Sequence, residues 1–121
     1  MLIDHVGFEV SDLARSGAFY DAVFYALGVR RVHANEHVIG WGRTEPEFWL
    51  TARNAAAPSY GHVALSAAGK AAVDAAHAAG LQAGGSDDGA PGPRPQYGPR
   101  HYAAYLRDPD GLRVEVVASP G

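Results

Sequence analysis

The chain has 121 residues, 47% hydrophobic and 19% charged, with a formal net charge of −3, a composition typical of one globular domain. Cysteine is absent, which excludes disulfides and thiolate metal sites, and the ten basic residues are scattered, which excludes the basic patch of a nucleic-acid-binding protein. The first residues do not resemble a signal peptide and no apolar run is long enough to span a membrane, so we expect a soluble cytoplasmic protein.

The first half of the sequence predicts one strand, one helix and three further strands. Apolar residues alternate with polar or small ones over residues 2–10, which is typical of a strand with one face against a core. Apolar residues at helical spacing follow as far as Leu27, and Gly28 stands where a chain leaves a helix with a positive φ. The three later strands are predicted over these ranges: 29–34, 37–43 and 47–52.

The second half of the sequence repeats this order, beginning with a second histidine-bearing strand over residues 60–67. A helix is predicted from Gly69 to Ala79, ended by Gly80. Two final strands are predicted on either side of an Asp-Pro-Asp-Gly tight turn. We therefore predict an α+β fold in one domain, residues 1–121, with two β-α-β-β-β units of about 1–54 and about 58–121.

Residues 84–98 are rich in glycine and proline, which argues against long regular elements. We therefore predict an irregular loop there. Two interpretations stay open: a functional loop, because loops of this length in compact domains often carry function, or a surface excursion that replaces strands of the second unit.

Three residues of metal-ligand type occupy equivalent places in the two units. His5 and His62 lie on the opening strands, and Trp49 and Glu115 lie at matching positions on the closing strands. Pairing the units about a pseudo-twofold axis would bring these four side chains together. Two imidazoles and one carboxylate suit a divalent metal site. The alternative is that they are ordinary hydrogen-bonded or exposed polar groups.

The sequence resembles the vicinal oxygen chelate superfamily, which includes glyoxalase I, fosfomycin-resistance and bleomycin-resistance proteins, and extradiol dioxygenases. Four stretches that span nearly the whole chain carry the resemblance: Asp4-His5-Val6-Gly7-Phe8-Glu9-Val10, Phe19-Tyr20, Gly61-His62-Val63-Ala64-Leu65 and Asp108-Pro109-Asp110-Gly111-Leu112-Arg113-Val114-Glu115. The resemblance implies a cupped mixed sheet around one divalent metal ion (iron, manganese, zinc or nickel), a substrate that chelates it through adjacent oxygens, and a homodimer.

The resemblance also assigns the ligands His5, His62 and Glu115, and it departs from glyoxalase I at Trp49, where that enzyme has a glutamate. Glu47 lies on the same strand face and is the alternative fourth ligand, although its carboxylate would have to reach past Trp49. A three-ligand site is similar to those of extradiol dioxygenases and fosfomycin transferases. We therefore expect a metal-dependent enzyme, lyase- or isomerase-like or dioxygenase-like, that acts on a small oxygen-chelating substrate. The alternative is a metal-free drug-binding protein of the bleomycin-resistance kind.

Further residues are candidates for the cavity. Tyr105 is a candidate hydrogen-bond donor to substrate, His101 a candidate acid or base, and Glu9 either orients His5 or acts as a base. Aromatic and basic side chains form a second group: an apolar wall of Trp49, Trp41 and Tyr97, and an anion clamp of Arg94 and Arg100. Core packing for the aromatic residues and plain solvent exposure for the arginines are the alternatives.

Overall fold

A computed structural model describes residues 2–118, and it confirms the α+β class and the two β-α-β-β-β units. The first unit contains β1 (Val6–Glu9), α1 (Leu13–Ala26), β2 (Arg30–Ala34), β3 (Val38–Gly42) and β4 (Phe48–Thr51). The second contains β5 (His62–Ser66), α2 (Lys70–Gln82), β6 (Ser86–Pro93), β7 (Tyr102–Arg107) and β8 (Arg113–Ala118), with a short 3₁₀ turn at Pro95–Tyr97. No described helix is long and apolar enough to cross a membrane.

The strands of the described residues form two four-stranded mixed sheets, one per unit. The first sheet has the order β1-β4-β3-β2 and the second has the order β5-β8-β7-β6. Each opening strand runs parallel to the closing strand of its unit, and the other neighbours are antiparallel. The opening strands β1 and β5 therefore each lie at one end of a sheet.

The register confirms that the two closing strands are equivalent. In the first sheet Trp49 lies between its partners Gly7 and Gly40. In the second sheet Glu115 lies between Ala64 and Tyr105. Side chains of paired residues point to the same face of a sheet, so each trio forms one row across its sheet.

One hydrophobic core runs through both units, because the two helices pack against each other and each also packs on its own sheet. Phe19, Tyr20 and Val23 of α1 are fully buried, as are Val73 and Ala76 of α2. Full burial of a large apolar side chain stabilises a fold by about 1.5–3 kcal/mol. Asp12 begins α1 as its N-cap, accepting a hydrogen bond from the backbone N–H three residues along at 3.0 Å.

The Asp-Pro-Asp-Gly turn joins the two units. Asp108 is buried and accepts a hydrogen bond from the Tyr20 hydroxyl of α1 at 2.7 Å, and a second one from the backbone N–H of Leu112 at 2.9 Å. Asp110 accepts hydrogen bonds from the backbone and hydroxyl of Ser11, which precedes α1. The turn therefore fixes the start of the first helix against the second sheet.

The prediction of an irregular loop over 84–98 is wrong, because residues 86–93 form strand β6. It pairs with β7 in antiparallel fashion, with register shifts on both sides of Gly89. Prolines 91 and 93 are tolerated because β6 is an edge strand, where a missing N–H need not interrupt a ladder. Gly89 has a φ of +156°, and a Cβ there would lie 2.9 Å from the Tyr105 ring, so glycine is required.

Two element boundaries also differ from the sequence prediction. The second helix continues through Gly80 to Gln82, because that glycine allows a close approach: a Cβ there would lie 2.7 Å from Leu106 and 3.0 Å from Val23. The first strand begins at Val6 rather than at residue 2, so His5 lies just before the strand instead of within it.

Candidate active site

The face of the second sheet that points away from α2, here called the open face, brings together His62, His101 and Glu115. The Nε2 atom of His62 lies 3.8 Å from Oε1 of Glu115, and Nε2 of His101 lies 3.6 Å from Oε2. Glu115 is 9% exposed, whereas the side chain of His62 is half exposed. This nearly buried carboxylate has an imidazole beside each of its oxygens, and the three side chains are therefore the best candidates for catalytic or metal-binding groups among the described residues.

The spacing within this group suits shared coordination better than direct hydrogen bonding. Both distances exceed the hydrogen-bond limit, whereas two ligand atoms on one tetrahedral zinc-like ion, each bonded at about 2.1 Å, are about 3.4 Å apart. The Nε2 atom of His101 is buried and has no hydrogen-bond partner, which is unusual for a polar atom. His62 and Glu115 therefore have the donor types and the spacing of divalent-metal ligands, and the unpaired Nε2 atom of His101 remains available to a bound molecule.

The predicted ligand set is not brought together among the described residues of one chain. His62 and His101 face different oxygens of Glu115, and over residues 2–118 no three His, Asp or Glu side chains are arranged to hold a metal ion. His5 is not brought to the group: its side chain is 55% exposed and its Nδ1 lies 2.7 Å from the carboxylate of Asp4. The predicted triad of His5, His62 and Glu115 is thus not assembled within a single chain.

Tyr105 lies on the open face directly beside Glu115, as its strand partner. Its ring is flanked by two guanidinium groups, with the carbon of Arg113 at 4.0 Å and that of Arg94 at 5.6 Å from the ring centroid. Burial raises the pKa of the Tyr105 hydroxyl, and the negative charge of Glu115 raises it further. The phenol therefore stays protonated at neutral pH and can donate a hydrogen bond.

Glu9 does not orient His5 in this chain. Its Oε1 atom accepts hydrogen bonds from Nε and Nη2 of Arg53, at 2.8 and 2.5 Å. The Oε2 atom is buried and unpartnered. Glu47 is exposed and its carboxylate turns back to the backbone N–H of Arg43 at 3.4 Å, so it does not approach the other candidate ligands.

The predicted apolar wall is realised only in part. Trp49 is half-buried on its sheet, with its ring against Gly40 and 5.6 Å from that of His33. Tyr97 is 66% exposed and its ring centroid lies 5.5 Å from that of His101, beside the Glu115 group. Trp41, by contrast, is buried in the core, where its Nε1 donates to Asp21 of α1 at 3.0 Å, so its assignment to the wall is wrong.

The two arginines predicted as an anion clamp do not act together. Arg94 donates to the backbone carbonyls of Pro93 and Ala90, which directs its guanidinium back along β6. Arg100 lines a separate surface pocket beside Lys70 at the start of α2. Sequence reasoning paired them because both flank Tyr97, but Arg94 bonds to β6 whereas Arg100, beyond the 3₁₀ turn, lies beside α2.

Three residues on or near the open face were missed by sequence reasoning. Arg113 donates Nε–H to one oxygen of Asp88 at 3.0 Å, and Nε of Arg107 forms an ion pair with the same oxygen at 3.1 Å. Alternation along β8 already places Arg113 on the face of Glu115, which is a signal that the sequence contains. Asp88 lay within the stretch expected to be a loop, so its pairing partners could not be read from the sequence.

Comparisons of the sequence and of the structure with known proteins agree on one family. The profile described as "Glyoxalase/Bleomycin resistance protein/Dioxygenase superfamily" matches residues 2–116. A crystal structure of a glyoxalase/bleomycin resistance protein from Albidiferax ferrireducens T118 is 31% identical, with a TM-score of 0.87 over 98% of this chain and 100% of that one. No curated protein matches the chain.

More distant structures share the fold. A glyoxalase-related enzyme from Fulvimarina pelagi is 18% identical, with a TM-score of 0.77 over 99% of this chain and 89% of that one. A lactoylglutathione lyase from Agrobacterium tumefaciens is 23% identical, with a TM-score of 0.69 over 97% of this chain and 92% of that one. At these identities the likeness concerns the fold and not the reaction.

Proposed function

Because the chain belongs to the glyoxalase/bleomycin resistance protein/dioxygenase superfamily, we propose that it is a divalent-metal-dependent enzyme whose small substrate binds through adjacent oxygens. The observation that carries the proposal is the Glu115 carboxylate, nearly buried on the open face and approached by the Nε2 atoms of His62 and His101. With the imidazole of His5, the imidazole of His62 and the carboxylate of Glu115 make up a ligand set that iron, manganese, zinc or nickel takes in enzymes, and His101 stays beside it as an acid or base.

The proposed site is completed by a second copy of the chain. Strands β1 and β5 each leave one edge without a strand partner among the described residues, and unpaired edges favour the addition of another strand. An exposed apolar side chain comes shortly before each of these strands in the sequence: Ile3 before β1, and Tyr60, which is 93% exposed, before β5. In the proposed homodimer, β1 of one copy lies beside β5 of the other, so that His5 joins His62 and Glu115 of the second copy.

The residues of the site then have distinct tasks. His62 and Glu115 hold the metal with His5, and Tyr105 donates a hydrogen bond to a substrate oxygen. His101, whose Nε2 atom is unpaired, gives a proton to substrate or takes one from it. When bound, the metal supplies Lewis-acid stabilisation of negative charge, or oxygen chemistry if it is iron. The lyase- or isomerase-like and dioxygenase-like reactions both use such a site.

The apolar side of the cavity is assigned to the first unit. Trp49 stands on its sheet where Glu115 stands on the other, so in the proposed homodimer its ring faces the metal group across the cavity. Tyr97 extends this surface beside His101. Glu9, paired with Arg53, is assigned no contact with substrate.

A metal-free binding protein is the second candidate. One observation favours it: no three-ligand group for a metal is arranged within the described residues of one chain. In that case the open face and Trp49 would bind a small molecule by stacking and hydrogen bonding, without catalysis. The Glu115 group argues against it, because burial of a carboxylate without charge compensation is costly.

Metal content tests the proposal. Protein purified without chelator or nickel resin is measured by inductively coupled plasma mass spectrometry, beside His5→Ala, His62→Ala and Glu115→Ala. We expect about one metal ion per chain in the wild type and none in the three variants, because each removes a ligand. His37→Ala serves as the control, since this exposed histidine pairs only with its neighbour Glu36. A metal-free wild type, even after reconstitution, would support the binding protein instead.

A further inference from the structure

A pair of arginines beside the Glu115 group has no task in the proposed reaction. Arg107 of β7 and Arg113 of β8 are strand partners, and the Nε atoms of both form ion pairs with the same oxygen of Asp88. Two guanidinium groups against one carboxylate leave a net positive charge at this point. Both side chains are only partly exposed, at 39% and 37%, so the charge is not fully screened by water.

The hydrogen bonds of the pair leave donors free for a ligand. Arg107 donates a hydrogen bond from Nη1 to the carbonyl of Gly111 at 3.2 Å, and its Nε lies in an ion pair with Asp88. Arg113 uses Nε for Asp88 and lays its planar group on the ring of Tyr105, which fixes its orientation. The two terminal nitrogens of Arg113 form no hydrogen bond with a described residue, and together they match the spacing of two oxygens on a carboxylate or phosphate.

The free donors lie next to the candidate metal ligands. Arg113 is the strand partner of His62, and it lies two positions before Glu115 on the same face of β8. His62, Arg107 and Arg113 line one open cavity of about 520 Å³, together with residues 59–61. An anionic group held there would lie beside His62, a proposed ligand of the metal to which the substrate oxygens bind.

We infer that Arg113, supported by Arg107 and Asp88, is an anion-binding subsite of the active site, and that the substrate carries a carboxylate or phosphate in addition to its chelating oxygens. The inference rests on the proposed function, because it places the anion relative to the metal group. Asp88 is a positioning residue that holds both guanidinium groups. The clamp predicted at Arg94 and Arg100 is thereby replaced by a different pair of arginines.

Two chelating probes, a free acid and its uncharged methyl ester, test the subsite. Succinic monohydroxamate and its methyl ester both chelate metals through two adjacent oxygens, but only the first has a carboxylate tail. Isothermal titration calorimetry on metal-loaded protein is expected to give at least about tenfold tighter binding of the acid, as a bidentate charge-assisted contact provides. In Arg113→Gln the ester should bind as before, and the preference for the acid should fall to about twofold or less.

Matched variants separate this effect from a general loss of charge. Arg30→Gln removes an arginine that also stacks on a tyrosine, 4.9 Å from the ring of Tyr25, but in the first unit. It should keep the full preference for the acid. Arg113→Lys keeps the charge and loses the fork of two donors, so it should keep only part of the preference. Thermal unfolding of each variant establishes that it is folded.

The outcomes distinguish a failure of the anion-binding subsite from a failure of the proposed metal site. Equal binding of acid and ester by the wild type, or a preference that survives in Arg113→Gln, would overturn the subsite and leave the metal site standing. If neither probe binds, the proposed function fails, and inorganic phosphate added to metal-free protein decides the subsite. Shifts of the His62 and Gly111 amide resonances that vanish in Arg113→Gln would support it, and their absence would overturn it.

Discussion

The two units share one architecture but differ at the middle row of each sheet. In the first sheet the row is Gly7, Trp49 and Gly40, whereas in the second it is Ala64, Glu115 and Tyr105. The large indole requires glycine beside it, because a Cβ on Gly40 would lie 2.8 Å from the ring. The carboxylate instead has the hydroxyl-bearing ring of Tyr105 as its neighbour.

This difference shows how one repeated unit can provide two kinds of surface. Strand order is the same in both units, so the shared topology does not determine the chemistry of the surface. The chemistry of each surface depends instead on the central residue of the closing strand and on its two strand partners. On the proposed homodimer, the first unit of one copy supplies an apolar wall and the second unit of the other supplies charge and hydrogen-bond donors.

The contact that joins the units has the largest expected effect on stability. Tyr20→Phe removes the hydroxyl that donates to buried Asp108, and we expect a loss of about 1–3 kcal/mol in the free energy of unfolding. Urea denaturation measures it. Tyr25→Phe, which changes an exposed tyrosine of the same helix, should change the stability little.

The same contact has a defined pH dependence. Burial raises the pKa of the Tyr20 hydroxyl well above its usual value of 10.0, and the charge of Asp108 raises it further. A raised pKa means that the stabilisation is complete below pH 10.0 and is lost as the pH rises toward the folded-state value. The stability difference between wild type and Tyr20→Phe should therefore shrink above pH 10.0; a difference that grows there would contradict this role.

Filling the space beside Trp49 breaks the row of the first unit. Gly40→Ala places a Cβ at 2.8 and 2.9 Å from two ring atoms, so we expect a loss of about 1–2 kcal/mol, measured by denaturation. Gly7→Ala is the matched control, because a Cβ there meets Trp49 at an ordinary 3.6 Å. Adding Trp49→Leu to Gly40→Ala should restore much of the stability, and a failure to do so would place the strain elsewhere.

Changing Trp49 to the residue type of the second unit sharpens the comparison. Trp49→Glu adds a carboxylate at the position equivalent to Glu115, so the proposed homodimer would gain a fourth metal ligand. We expect the metal affinity to rise at least about tenfold, because even residues that only hydrogen-bond to a metal ligand change the affinity by that much. Competition with a chelator measures the affinity. Trp49→Leu, which removes the ring without adding a ligand, should show no gain.

The ion pairs that tie each helix to its edge strand give the smallest expected effect. In the first unit Asp21 accepts two hydrogen bonds from Arg31 at 2.8 Å, and in the second Asp87 lies 2.9 Å from Nε2 of His77. Hydrogen bonds from the backbone of Gly89 and from His77 lower the pKa of Asp87 below 3.8. A lowered pKa gives a contribution that is present above pH 3.8 and is lost as the pH falls through the folded-state value.

Thermal unfolding across pH measures this contribution. Asp87→Asn should lower Tm slightly at neutral pH, and its difference from the wild type should vanish on acidification below pH 3.8. Asp21→Asn is the matching variant in the first unit, where the carboxylate accepts two hydrogen bonds from Arg31. A Tm difference for Asp87→Asn that is constant from pH 3 to 7 would show that the charge of Asp87 does not contribute.

The sequence revealed the fold because the two units repeat and because alternation and helical spacing are strong along most of the chain. It failed at β6, where glycines and prolines that normally mark loops are tolerated by an edge strand with a shifted register. It also grouped Trp41 with Trp49, although β3 points Trp41 toward α1. Motifs alone could not show whether one chain or two would supply the proposed ligands, because that depends on how the strand edges that are unpaired among the described residues are covered.

Subunit mixing tests the central claim, a metal site shared between two copies, most directly. His5→Ala and Glu115→Ala proteins are each expected to bind no metal, and they are mixed, partly unfolded and refolded together so that heterodimers form. In a heterodimer one site combines the intact His5 of one copy with the intact His62 and Glu115 of the other. We predict about one metal ion per heterodimer. No metal in the heterodimer would contradict the shared site.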